Sequence, residues 1–268
     1  MLRCMRGIAL LLTGIALSLA AVEAVDGSTA DTTLHTQLER VASARVFFAH
    51  QSVGANVLEG LSRLAERESV DVHIEDMLVP ENGDPARKLR SFEEALDRRA
   101  GAIDVALLKF CYVDLTAQTN AAALFEAYRA TVRRLQARYP GVTFVHVTVP
   151  LTVAQTGVKA VAKRVLGRDP YGTVENVRRE EYNSLLRAAY LGREPLFDLA
   201  RLESVAPDGS PVTVTWEGRK APAMARAYTD DGGHLNADGS ERAARELVRV
   251  LSGAAGARIP SRSASAGR

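Results

Sequence analysis

Apolar residues along this chain fall into short unbroken runs separated by stretches of helical period. Residues 45–49 (Arg-Val-Phe-Phe-Ala) form a bulky run that reads as a buried strand. Ahead of it, Leu34, Leu38 and Val41 repeat at helical spacing and predict a lead-in helix, preceded by a small, polar linker. Val57, Leu58, Leu61 and Leu64 predict the next helix, 70–74 a second strand, and 78–85 a loop rich in turn residues. Leu89, Phe92, Ala95 and Leu96 mark another helix. Residues 103–110 are apolar apart from Asp104 and Lys109, the pattern of a central parallel strand. A helix over 121–138 and a strand over 142–149 follow, then an excursion over 151–172 with basic residues at 159, 163, 164 and 168. A helix over 174–190, a short strand at 196–199, a hairpin or irregular insert over 209–228 and a closing helix over 240–251 complete the pattern.

Strands alternating with helices predict an α/β domain of three layers, helix–sheet–helix, around a mostly parallel sheet. Reacting groups in such sheets collect at the carboxyl ends of the strands. The start of the chain reads separately. Arg3 and Arg6 precede an apolar run over 7–22, and small residues at 22 and 24 suit a signal peptidase. The expected organisation is a signal peptide over 1–24, a linker and lead-in helix over 25–44, a catalytic-type domain over 45–252 and a disordered tail over 253–268. The expected location is periplasmic or extracellular, with no membrane span once the signal is removed.

Composition narrows the function. A formal net charge of +2 gives no excess of cations to neutralise phosphates, so nucleic acid is not an expected partner. Aromatics at 6% are too sparse for a base-stacking platform. Two cysteines make no disulfide framework, and Cys111, inside an apolar run, reads as a small core residue. No phosphate-binding glycine loop and no zinc-ligand cluster occurs.

Two segments carry chemistry. The first is His50-Gln51-Ser52-Val53-Gly54-Ala55-Asn56, which puts a serine between the first strand and a helix. Free amides and the helix dipole there favour an oxyanion, although taken alone a serine at this position reads first as a helix cap. The second is Thr229-Asp230-Asp231-Gly232-Gly233-His234, just before the last helix. The two glycines let Asp231 fold back on His234, fix its tautomer and make it a general base. A surface turn is the alternative; a calcium loop is disfavoured, because the alternating ligands and terminal Glu are missing. His146 lies inside a strand and reads as a core histidine, while His35 and His73 have no chemical context.

Together, a serine ending the first strand and an Asp-x-x-His before the final helix resemble the SGNH, or GDSL-like, hydrolase superfamily. The resemblance implies a flavodoxin-like fold, Ser52 as nucleophile, and Asp231 and His234 completing the triad. It implies an oxyanion-hole glycine, for which Gly83 is the positional match. The superfamily's Gly-Asp-Ser is here His50-Gln51-Ser52. Its Gly-x-Asn-Asp is here Lys109-Phe110-Cys111-Tyr112-Val113-Asp114, where only Asp114 fits and the oxyanion-hole asparagine is absent. Lys109, Tyr112 or Asn56 could supply the missing donor, with a solvated strand-end charge as the alternative for Lys109. His50 could contact substrate, stand in for the missing aspartate or make a structural hydrogen bond. A second hydrolase arrangement would use Ser52 on an elbow with Asp198 and His234. The expected activity is that of a serine esterase acting on small-molecule or glycan esters, with no metal or organic cofactor. An O-acyltransferase and a non-catalytic binding protein are the alternatives. No amphipathic lid is evident in the pattern, which favours acetyl esters of carbohydrate over long-chain lipids.

Overall fold

The structure is a computed structural model and describes residues 33–79 and 81–256. The expected signal peptide, most of the linker, and residues 257–268 of the expected tail lie outside the described residues.

Five strands, β1 (Val46–His50), β2 (Ile74–Leu78), β3 (Val105–Leu108), β4 (Thr143–Val147) and β5 (Leu196–Phe197), form one sheet in the order β2-β1-β3-β4-β5. Every neighbouring pair is parallel. Side chains of a strand alternate between faces, and here both faces are apolar. Phe48 and Leu107 enter the core beneath α1 (Leu34–Ala42), α2 (Ser52–Glu68) and α8 (Ala237–Gly256). Phe47, Ala49 and Leu108 enter the core beneath α3 (Pro85–Arg98), α4 (Ala121–Arg138) and α6 (Val174–Tyr190). The remaining elements are α5 (Gly157–Val165), α7 (Leu199–Glu203), an antiparallel hairpin of β6 (Thr213–Trp216) and β7 (Arg219–Pro222), and two single 3-10 turns at Tyr112–Asp114 and Arg226–Tyr228. The architecture is the three-layer α/β sandwich expected from the sequence.

Strand order reverses between β1 and β3, so a crevice opens at their carboxyl ends. Helix α2 leaves β1 at that edge, and α8 begins beside it. The two helices are held closely. A β-carbon on Gly60 would lie 2.4 Å from the Ser240 carbonyl oxygen, so only glycine permits this approach. Arg67 and Glu241 add an ion pair at 2.8 Å between the same helices.

Two expectations need correction, and one segment gains detail. The second strand starts at Ile74, not at 70. Helix α2 runs on to Glu68 and stops at a left-handed Ser69, which leaves 70–73 as connection. As an edge strand β2 exposes Glu75 and Asp76 and lacks the apolar run that marks central strands. The closing helix extends through Gly256, with Ala254 buried, so the expected tail does not begin at 253. The excursion over 151–172 contains α5, whose apolar side chains face outward.

Candidate active site

Ser52 is the first residue of α2, with Gln51 as its N-cap in extended conformation. Ser52 is therefore not the cap; its side chain is free for other partners. Its amide stands in the first turn, where no preceding turn accepts it. His234 Nε2 lies 2.9 Å from Ser52 Oγ, and His234 Nδ1 lies 2.6 Å from Asp231 Oδ2. The carboxylate beyond Nδ1 assigns the ring proton to that nitrogen, leaving Nε2 to accept from the serine hydroxyl.

The loop that carries Asp231 and His234 is fixed by its own amides. Asp231 Oδ1 accepts from the amides of Gly233 and His234, each at 2.8 Å. The Gly232 amide donates to Thr229 Oγ1 at 2.9 Å, with Gly232 at φ +95°, a backbone state that favours glycine. The His234 amide, the His234 ring and the Gly233 amide together hold the Asp231 carboxyl well below the usual carboxylate range. Asp231 therefore stays ionised behind the imidazole. The loop is tied to α2 as well, since Asn56 Oδ1 accepts from the Leu235 amide at 3.2 Å.

Other expected site residues take different places. The Gly83 amide donates to Asp114 Oδ1 at 2.8 Å, so it is engaged and does not face an oxyanion. Asp114 is buried and also accepts from Lys88 Nζ at 2.6 Å and the Cys111 amide at 2.6 Å. It is the anchor of the loops after β2 and β3. Lys109 is not a solvated strand-end charge. It is fully buried, donates to the Phe110 carbonyl at 3.2 Å, and burial lowers its pKa to about 8. Asp198 pairs with Arg187 at 2.7 Å and caps α7, which removes it from the elbow arrangement. His146 is buried between Tyr128 (2.8 Å) and Glu194 (3.1 Å), away from the triad.

His50 is buried and lies under the first turn of α2. Its Nδ1 is 3.0 Å from the Gln51 carbonyl, and its Nε2 is 3.1 Å from Asp76 Oδ2. Burial lowers its pKa. It props the turn that presents Ser52 and is not placed as a base. Tyr112 is half-buried, and its ring meets the His234 ring edge-on at 5.8 Å between centroids. Among the described residues its hydroxyl makes no hydrogen bond, and burial pushes the phenol up, so it remains a donor.

Sequence reading missed Arg179. It is buried on the core-facing side of α6, where Val177, Tyr182 and Leu186 also lie. It donates to the Tyr112 carbonyl at 3.1 Å and to Thr152 Oγ1 at 2.8 Å, and its guanidinium stands 5.7 Å from the Tyr112 ring. The available signal was a cation in the apolar register of a helix. No group of three or more potential metal ligands occurs among the described residues.

A serine, an imidazole and a carboxylate in hydrogen-bonded series at the carboxyl edge of a parallel sheet define a hydrolase-type constellation on a flavodoxin-like fold. Its fold is that of the SGNH/GDSL-like hydrolases. The chain superposes on a GDSL-like lipase from Bacteroides thetaiotaomicron with a TM-score of 0.51 and 12% identity, over 83% of this chain and 100% of that one. It superposes on TesA with a TM-score of 0.51 and 11% identity, over 78% of this chain and 99% of that one. No protein-family profile matches the chain, and no curated protein is similar to it in sequence.

Proposed function

We propose that this protein is an exported serine hydrolase of carboxylic esters. The reading is carried by one observation: the unbroken series Ser52 Oγ, His234 ring, Asp231 carboxylate, with separations of 2.9 and 2.6 Å. Ser52 Oγ attacks the ester carbonyl carbon while its proton passes to His234 Nε2. Asp231 stabilises the imidazolium. The carbonyl electrons move to the oxygen, which the Ser52 amide and the Tyr112 hydroxyl stabilise. Collapse of this intermediate expels the alcohol, which takes the proton from His234. Water, deprotonated by the same ring, then attacks the acyl-serine and releases the carboxylic acid.

Tyr112, whose ring lies against His234 and whose hydroxyl is unbonded among the described residues, takes the role of the absent asparagine in this reading, in place of Lys109. Lys109 is fully buried and already donates to the Phe110 carbonyl, whereas Asn56 uses only Oδ1 to hold Leu235 and keeps its Nδ2 as a further donor one turn into α2. An acyltransferase would run the same first half and pass the acyl group to an acceptor hydroxyl. The test is turnover of short p-nitrophenyl esters by the full chain. The native protein hydrolyses them, and Ser52→Ala and His234→Ala abolish hydrolysis. Native protein with no turnover, or turnover that survives Ser52→Ala, overturns the reading.

A further inference from the structure

Helix α5 is amphipathic in the reverse sense. Ala160 is buried against the protein, while Val158, Val161, Val165 and the following Leu166 are 86, 56, 81 and 71% exposed. At about 100° per residue, Val158, Val161, Ala162 and Val165 share an arc of about 100° that points away from the domain. Lys159 and Lys163 flank this arc on one side and Arg164 on the other, with Arg168 just beyond the helix. None of these cations has an ion-pair or hydrogen-bond partner among the described residues, and Asp169 is the only acid in the segment. The segment adjoins the proposed site: Lys163 and Tyr171 line a cavity of about 250 Å³ together with Arg226, Asp231 and Gly232.

We propose that α5 docks the protein on an anionic lipid bilayer. Exposed valine and leucine enter the headgroup–acyl boundary, and the flanking lysines and arginines meet lipid phosphates. Charge selects this occupant. A second copy paired through the same face would oppose like cations. The apolar run over 7–22 of this chain carries no acid to match them. Four cations around an apolar stripe fit a surface that is apolar in depth and negative at its rim. The contact is a reversible dock, as a nine-residue helix cannot span a bilayer. The inference builds on the ester-hydrolase reading by placing the ester substrate at a lipid surface, which reverses the expected preference for carbohydrate esters. Docking itself needs no hydrolysis, so the two ideas fail separately.

The test follows hydrogen–deuterium exchange of the full chain with vesicles of phosphatidylglycerol or of phosphatidylcholine alone. Exchange at 157–168 slows with phosphatidylglycerol and is unchanged with phosphatidylcholine. Lys159→Gln with Arg164→Gln weakens vesicle binding on the order of 10-fold, and Val161→Ser with Val165→Ser removes the protection at 157–168. Both double variants hydrolyse a soluble ester at the native rate, since none of these side chains lines the site. The proposal is overturned if 157–168 exchanges equally with and without phosphatidylglycerol, as it would if the first residues of the chain alone bound vesicles. It is also overturned by equal protection on both lipids, or by vesicle-free protection that rises with protein concentration, which would assign the face to a second copy. Native docking without ester turnover would leave this proposal standing and defeat the hydrolase reading instead.

Discussion

Gly54 packs directly on His50: a β-carbon at position 54 would stand 2.4 Å from the His50 β-carbon and 2.7 Å from Nδ1. The buried ring is held in place by acceptors on both sides, the Gln51 carbonyl 3.0 Å from Nδ1 and Asp76 Oδ2 3.1 Å from Nε2, of which a neutral ring donates to one. The spacing His50-x-x-x-Gly54 is thus a packing pair that sets how α2 leaves β1, and with it where Ser52 points.

Gly54→Ala separates two effects of opposite sign. Helix propensity alone favours alanine by about 1 kcal/mol. Forcing a methyl into the ring costs about 1–3 kcal/mol, so the clash wins. The variant has a lower Tm in thermal unfolding and a reduced kcat, because the turn bearing Ser52 shifts. A raised Tm with native kcat would show that His50 moves freely and does not prop the turn.

Tyr112→Phe removes a hydroxyl without leaving a buried partner unbonded. The account assigns that hydroxyl to the oxyanion, so kcat for a p-nitrophenyl ester falls on the order of 10²-fold, with the Tm unchanged. A native kcat would return the role to the Ser52 amide and the Asn56 side chain.

Asp114→Asn leaves Lys88 buried beside a neutral group. Lys88 Nζ and the Asp114 carboxylate are 2.6 Å apart with both side chains at 0% exposure, so the pair is not weakened by solvent. Breaking such a pair costs about 3–5 kcal/mol. Urea unfolding measures this, and a loss under about 1 kcal/mol would contradict the anchoring role given to Asp114.

The sequence made the central architecture readable because the strands β1, β3 and β4 are buried on both faces and appear as continuous apolar runs. It placed β2 four residues early because an edge strand with Glu75 and Asp76 outward has no such run. Ser52, Asp231 and His234 were legible as motifs, since a serine after the first strand and a short Asp-x-x-His loop need no tertiary knowledge. Gly83, Lys109 and Asp114 were named, but their partners could not be foreseen. Whether a lysine at a strand end faces water or the core depends on which loops close over it. Arg179 went unnoticed because its register on α6 only acquires meaning once Tyr112 is known to lie against it. The outward face of α5 escaped because an amphipathic pattern does not say which side meets the protein.

Glu203 gives the fold a pH dependence. Burial raises its carboxyl to about 8, from an ordinary value of 4.5, while Oε2 accepts the Leu151 amide at 2.6 Å. Between those values the folded chain keeps a proton that the unfolded chain has released. Stability from this group therefore falls as pH rises from about 4.5 to about 8. Glu203→Gln cannot ionise and flattens that part of the profile. Tm measured at intervals across the window shows a smaller decline in the variant than in the native protein; identical slopes would mean that Glu203 does not hold its proton in the folded state.

The central claim is that His234 activates the Ser52 hydroxyl, and covalent capture tests it most directly. The full chain is incubated with a fluorophosphonate and its intact mass is measured, alongside Ser52→Ala and His234→Ala. The account predicts one phosphonyl adduct on the native protein, mapped to the peptide containing Ser52. It predicts no adduct on Ser52→Ala and adduct formation slowed on the order of 10³-fold or more on His234→Ala. No adduct on the native protein, or one that persists in Ser52→Ala, would contradict it.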